Sequence, residues 1–219
     1  MQTVTVTDKK GNNIPVTPLG NNKYSFTMPG TAVTIEAELL PLSDIVTFTD
    51  VPANAYYADA VSWAVLNGLI KGTSETTFSP NASCTRAQAV TFLWRAAGSP
   101  APKSSAMPFT DVDADAYYHD AVLWAVEQDI TNGTSDTTFS PNATCTRAQI
   151  VTFLWRSQAS PAAGAVNPFA DVADNAYYAE AVKWAVLEGV TSGTTATTFS
   201  PNDSCTRAQI VTFLYRCLG

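Results

Sequence analysis

The chain has 219 residues, 46% of them hydrophobic and 11% aromatic, and carries 12 Lys and Arg against 19 Asp and Glu for a net charge of −7. That length allows one ordinary domain or two small ones with a sizeable core, and the acidic balance excludes a bulk basic field for nucleic acid or an anionic membrane. With that net charge any anionic ligand must be met by a local cationic pocket, and no apolar run reaches the length of a transmembrane helix.

Residues 1–41 are compositionally distinct. Thr3 to Thr7, Lys23 to Thr27 and Ala32 to Glu38 alternate polar and apolar residues as strands do, and Lys10-Gly11-Asn12-Asn13 and Gly20-Asn21-Asn22 are turn signals. The stretch Tyr24-Ser25-Phe26-Thr27-Met28-Pro29 resembles the closing strands of small β-repeats in bacterial surface proteins. The segment is too small for a full sandwich. It reads as a β-strand segment, either the end of a truncated module or a small sheet packed on the rest of the chain.

The remainder repeats with a period of about sixty residues. Phe48-Thr49-Asp50-Val51 recurs as Phe109-Thr110-Asp111-Val112 and Phe169-Ala170-Asp171-Val172. Each copy continues with Ala-Tyr-Tyr, a Trp, Gly-Thr, Thr-Thr-Phe-Ser-Pro-Asn and Cys-Thr-Arg-Ala-Gln. Copies over residues 43–98, 108–158 and 168–219 are separated by linkers rich in Pro, Ala, Ser and Gly. Within a copy the spacing predicts helix, loop, helix. The first helix runs near Tyr56 to Asn67, with Tyr57, Ala60, Val61, Ala64 and Val65 on one stripe widened by Tyr56 and Trp63. Gly68 and Gly189 are plausible stops, and Asp129 makes a weaker one. The second helix runs near Arg86 to Ala97, with Val90, Leu93, Trp94 and Ala97 facing a core. Helix pairs this short cannot bury both stripes alone, so the fold expected is mainly α, three helix-loop-helix repeats closing into a pseudo-threefold monomeric bundle.

The repeated Cys-Thr-Arg-Ala-Gln stretch has a structural explanation for most of its residues. Thr85, Thr146 and Thr206 fit N-caps, and Gln88, Gln149 and Gln209 sit where they complete capping boxes, with Cys and the residue after Gln at the staple positions. The arginine is not explained this way. Arg86, Arg147 and Arg207 stand at the positive end of the helix dipole, where a cation is mildly unfavourable. Residues alone leave two partners open: the carboxylates Asp50, Asp111 and Asp171, or an anionic ligand also drawn to the helix N-terminus. Arg95, Arg156 and Arg216 lie nine residues later, half a turn out of phase, and are assigned mainly to structure. Gly72, Gly133 and Gly193 open the loops and would let a ligand approach the backbone. Trp63, Trp124 and Trp184 read as core; Trp94, Trp155 and Tyr215 divide evenly between core packing and stacking on sugar rings.

These residues resemble the S-layer homology family, whose pattern is an aromatic-Asp opening, a helix with Tyr and Trp, a Gly-x-x-x-x-x-Phe-x-Pro loop and a Thr-Arg-Ala-Glu-like signature. The resemblance covers Ser43 to Gly219, three times over. It implies a spindle of three repeats that holds a surface protein on an anionic secondary cell-wall polysaccharide, often pyruvylated, in grooves between neighbouring repeats. Carried over, contact with the pyruvyl carboxylate falls to Arg86, Arg147 and Arg207. Gly72, Gly133, Gly193, Trp94 and Trp155 join them as polymer-binding candidates, with Asp50, Asp111, Asp171, Gln88, Gln149 and Gln209 in support. Gln replaces the Glu common in the family, which keeps the capping box, removes a negative charge and, if that Glu normally pairs with the arginine, leaves the arginine freer for an anion. The location implied is the bacterial cell surface. Met1 to Lys10 lacks the pattern of a signal peptide, so an export signal is expected upstream in a longer chain.

Other chemistries fit less well. The only histidine is His119, and no nucleophile elbow, phosphate loop or metal motif is present, so no catalysis, cofactor or metal is expected. Asp111-Val112-Asp113-Ala114-Asp115 imitates a calcium loop but lacks its Gly and Glu. Cys84, Cys145 and Cys205 are equivalent by symmetry and read as small buried hydrophobes. A helical-repeat scaffold for protein partners remains the alternative, distinguished by tolerance of arginine loss. Among the grooves, the one beside Lys71 is expected to gain affinity for an anion at low salt.

Overall fold

The computed structural model describes residues 3–20, 23–38, 47–164 and 166–219 and divides into two compact units, residues 1–45 and 46–219. The expected junction between residues 41 and 43 lies outside the described residues.

In the smaller unit β1 (Thr3–Asp8) is the centre of a three-stranded antiparallel sheet, flanked by β2 (Asn13–Ile14) and β5 (Val33–Glu38). Val6 pairs with Ile14 on one side and Ile35 on the other and is buried. The turn after β1 is closed by the Asp8 carboxylate, which accepts from the amides of Lys10 and Asn12 and from the Asn12 side chain at 2.8–2.9 Å. Those bonds hold the Asp8 carboxyl below its ordinary pKa. β3 (Thr17–Gly20) and β4 (Lys23–Ser25) form a separate antiparallel pair.

The larger unit carries six helices: α1 (Ala58–Leu66), α2 (Arg86–Ala96), α3 (His119–Glu127), α4 (Arg147–Ser157), α5 (Ala179–Leu187) and α6 (Arg207–Leu218). α2, α4 and α6 begin where the capping boxes were expected. The Gln88, Gln149 and Gln209 amides donate to the Thr85, Thr146 and Thr206 hydroxyls at 3.2–3.3 Å, and each Gln Oε1 accepts from its Thr amide. Each cap is worth roughly 1 kcal/mol.

The repeats close on one another in a ring. The Cys145 amide donates to the Cys84 carbonyl, Cys205 to Cys145, and Cys84 to Cys205, at 2.8–2.9 Å. The first helical amides, otherwise unpartnered in any helix, donate to carbonyls of the next copy. Arg86 and Ala87 donate to Ala143 and Pro141, Arg147 and Ala148 to Asp203 and Pro201, and Arg207 and Ala208 to Ala82 and Pro80. The helix N-termini are therefore closed to an anion, contrary to the expectation that a ligand could share them.

Packing obeys the same cyclic rule. α3 packs on α2, α5 on α4 and α1 on α6, so each first helix leans on the second helix of the preceding copy. Ala89, Leu93, Ile150, Leu154, Ile210, Phe213 and Leu214 surround a small apolar cavity among α2, α4 and α6. Phe78, Phe139 and Phe199, one per loop, are fully buried. The four cysteines are free, and burial pushes Cys84 and Cys145 up to about 12 and Cys217 to about 11. No helix among the described residues is long and apolar enough to cross a membrane.

Asp129 carries φ 55°, in the place of Gly68 at 70° and Gly189 at 69°. The left-handed region costs a residue with a Cβ more than glycine. Asp129→Gly is expected to stabilise the fold by roughly 0.5–1 kcal/mol, raising Tm by about 2 °C in a thermal melt.

Candidate functional site

Asp50, Asp111 and Asp171 do not pair with the arginines. Each carboxylate accepts from two loop amides: Phe78 and Ser79, Phe139 and Ser140, Phe199 and Ser200, at 2.7–2.8 Å. Ser79, Ser140 and Ser200 have φ of 57–58°, so these carboxylates clamp a strained turn. Their supporting role toward the arginine is thus indirect, through the loop whose carbonyl the arginine meets.

The arginine heads cross to the next copy. Arg86 Nε donates to the Phe139 carbonyl, Arg147 Nε to Phe199 and Arg207 Nε to Phe78, each at 2.9 Å. The Arg86 guanidinium lies 4.9 Å from the Phe139 ring and 5.4 Å from Phe153; Arg147 lies 4.8 Å from Phe199 and 5.4 Å from Phe213. All three side chains are 3–5% exposed, and among the described residues none makes an ion pair. Burial depresses their pKa, yet a guanidinium stays protonated. A buried cation held by carbonyls, ring faces and, for Arg86, a threonine hydroxyl is incompletely compensated, since the full desolvation of a charge normally demands an opposite charge. Arg147 Nη2 is buried and has no hydrogen-bond partner among the described residues.

Arg86 and Arg147 each lie at a groove assembled from all three copies. One groove, of about 440 Å³, brings together Arg86 of the first copy, Thr131 to Thr134, Gln149, Thr152, Phe153 and Arg156 of the second, and Tyr177 of the third. The other, of about 330 Å³, combines Arg147 with Thr191 to Thr194, Gln209, Thr212, Phe213, Arg216 and Tyr56. Both volumes suit a ligand of one or two sugar rings. Gly133 and Gly193 line these grooves.

Three placements depart from the expectations. Arg156 and Arg216 do hold structure, donating through Nη1 to the Ile130 and Val190 carbonyls at 3.2–3.3 Å. They nonetheless share a groove with the early arginine of the preceding copy. The half-turn offset separates the two sets on one helix, and ring closure reunites them. Tyr56, expected to widen the core stripe, and its counterparts Tyr117 and Tyr177 are 62–66% exposed, each edge-on to the following tyrosine. The helix starts two residues later than the stripe, at Ala58 in the first copy, which leaves that first tyrosine outside it. Trp94 and Trp155 line neither groove; their indole N–H groups donate to the Pro100 and Pro161 carbonyls at 2.9 Å and tie down the linkers. The repeated Ala-Tyr-Tyr and the repeated late arginine were the available signals for the residues missed.

Residues 47–90, 108–151 and 168–211 match the S-layer homology domain. The chain belongs to the S-layer homology family. Its S-layer homology repeats are shared with much longer relatives. The chain is 30% identical over 198 residues to the surface-layer 125 kDa protein of Lysinibacillus sphaericus, covering 88% of this chain and 17% of the relative. It is 34% identical over 117 residues to a cell surface protein of Thermoanaerobacter kivui, 51% of this chain and 15% of that protein. An endoglucanase of Bacillus sp. (strain KSM-635) shares 35% identity over 114 residues, 52% of this chain and 12% of the enzyme. The chain thus spans 12–17% of the length of these relatives. S-layer homology repeats are cell-surface anchoring modules, and three of them make up most of the larger unit.

Proposed function

We propose that the chain anchors a bacterial surface protein non-covalently by holding an anionic, pyruvylated secondary cell-wall polysaccharide in the grooves between its repeats. The observation that carries this reading is the set of buried guanidiniums without a carboxylate, two of them lining a sugar-sized groove. A pyruvyl ketal supplies the missing charge on a compact group, and the planar fork of arginine accepts a carboxylate through two parallel bonds. Threonine hydroxyls, Gln149 and Gln209 supply donors and acceptors for ring oxygens, and exposed Tyr56 and Tyr177 offer faces for a sugar ring. The second guanidinium in each groove keeps the local field positive on a chain whose net charge is −7.

The anchor acts outside the cell as a monomer with internal symmetry and needs no catalytic group, cofactor, nucleic acid or inserted membrane segment. The chemistry that the endoglucanase relative's name describes is not required for anchoring. A scaffold for protein partners would use the guanidiniums only as cross-links between copies and gives the unpartnered Arg147 Nη2 no role.

Purified chain mixed with isolated walls tests the reading. Retention on intact walls that disappears after acid stripping of secondary polymer is expected. Undiminished retention on stripped walls would move the target to peptidoglycan, and no retention on either would favour the scaffold.

A further inference from the structure

Resting on that reading, we infer that the three grooves are not equivalent: the one at Arg147 is the strongest, the one at Arg86 is weaker, and the one at Arg207 is held shut by its own backbone. The cause is one residue in the loop. Thr131 and Thr191 are buried, and their hydroxyls accept from the Gly133 and Gly193 amides at 3.3 and 3.1 Å. Ile70 stands at that place in the first copy and has no acceptor to offer. Gly133 and Gly193 adopt φ of 82° and 86°, whereas Gly72 has no positive φ.

The differently turned loop presents the Lys71 carbonyl to Arg207, whose Nη2 donates to it at 2.8 Å. With Nε on Phe78, the Nε–Nη2 edge of that guanidinium is already occupied. Arg86 Nη2 has only a long 3.4 Å contact to the Thr131 hydroxyl, and Arg147 Nη2 has nothing. An anion arriving at Arg147 finds Nη2 without a partner; at Arg207 it competes with the Lys71 carbonyl for that nitrogen. The Lys71 ammonium, expected from sequence to strengthen this groove, is exposed and screened, whereas the bond its own carbonyl makes is short and sheltered.

The probe is a methyl hexoside carrying a 4,6-linked pyruvyl ketal, titrated into the whole chain while the six arginine Nε–H signals are followed by NMR. Arg147 is expected to saturate first, Arg86 at concentrations about tenfold higher, and Arg207 to stay unmoved. Thr191→Ile should weaken the Arg147 response by a similar factor, and Ile70→Thr should bring Arg207 into the titration. Arg207 responding together with Arg147 in the wild-type chain would overturn the ranking and leave the polymer reading standing. No response at any arginine would overturn both.

Discussion

Arg147→Ala abolishes the strongest groove, and affinity for a pyruvylated wall fragment at that site falls by about a hundredfold. The magnitude comes from two charge-assisted hydrogen bonds, each worth about 1.5 kcal/mol or more, lost together where a tenfold change is about 1.4 kcal/mol. Wall retention falls further than the single site suggests, because attachment at two grooves is reduced to one. Stability moves little by comparison. The substitution removes the bond to Phe199 and the contact with two phenylalanine rings, but also removes a desolvated cation. Affinity by calorimetry and Tm by thermal melt on the same sample separate the two effects. Arg147→Lys keeps the charge and loses the planar fork, so it recovers only part of the affinity. A scaffold for proteins predicts the reverse pattern, with binding intact.

Gly193→Ala has the largest effect on the fold. A Cβ there would lie 2.5 Å from the Phe169 ring and from the Thr198 carbonyl and 2.6 Å from the Thr195 carbonyl, in a backbone with φ 86°. Two of those contacts are backbone and cannot turn aside. A cost of about 3 kcal/mol is expected, lowering Tm by roughly 10 °C. Gly189→Ala is the control: its φ is 69°, but nothing lies within 4 Å of the added carbon. It carries only the dihedral strain, about 1 kcal/mol. The comparison also links fold to function, since the loop that Phe169 presses against at Gly193 forms one wall of the Arg147 groove.

Local chemistry was legible from residues alone. The capping boxes place the starts of α2, α4 and α6, because a threonine with glutamine three residues later satisfies two orphan amides at a defined point. The sixty-residue period implies a shared core, and the cysteine carbonyl ring is its observed form. What sequence could not supply is which copy each side chain reaches. A carboxylate partner for each arginine among Asp50, Asp111 and Asp171 is electrostatically reasonable, and sequence leaves it level with an anionic ligand. The Asp111 carboxylate instead accepts from the Phe139 and Ser140 amides, which lie in a loop outside any helix or strand and need an acceptor there. Arg156 could not be placed beside Arg86 from helix periodicity, since that neighbour arises from closure between copies. In the smaller unit β2 and β3 went unseen, being two and four residues long and, for β3, containing Pro18.

The most direct measurement is calorimetric titration of the whole chain with polymer released from the wall, set against the same polymer after its pyruvyl groups are removed. The account predicts saturable binding to the intact polymer and loss of that binding once the carboxylates are gone. Equal affinity for the depyruvylated polymer would contradict it.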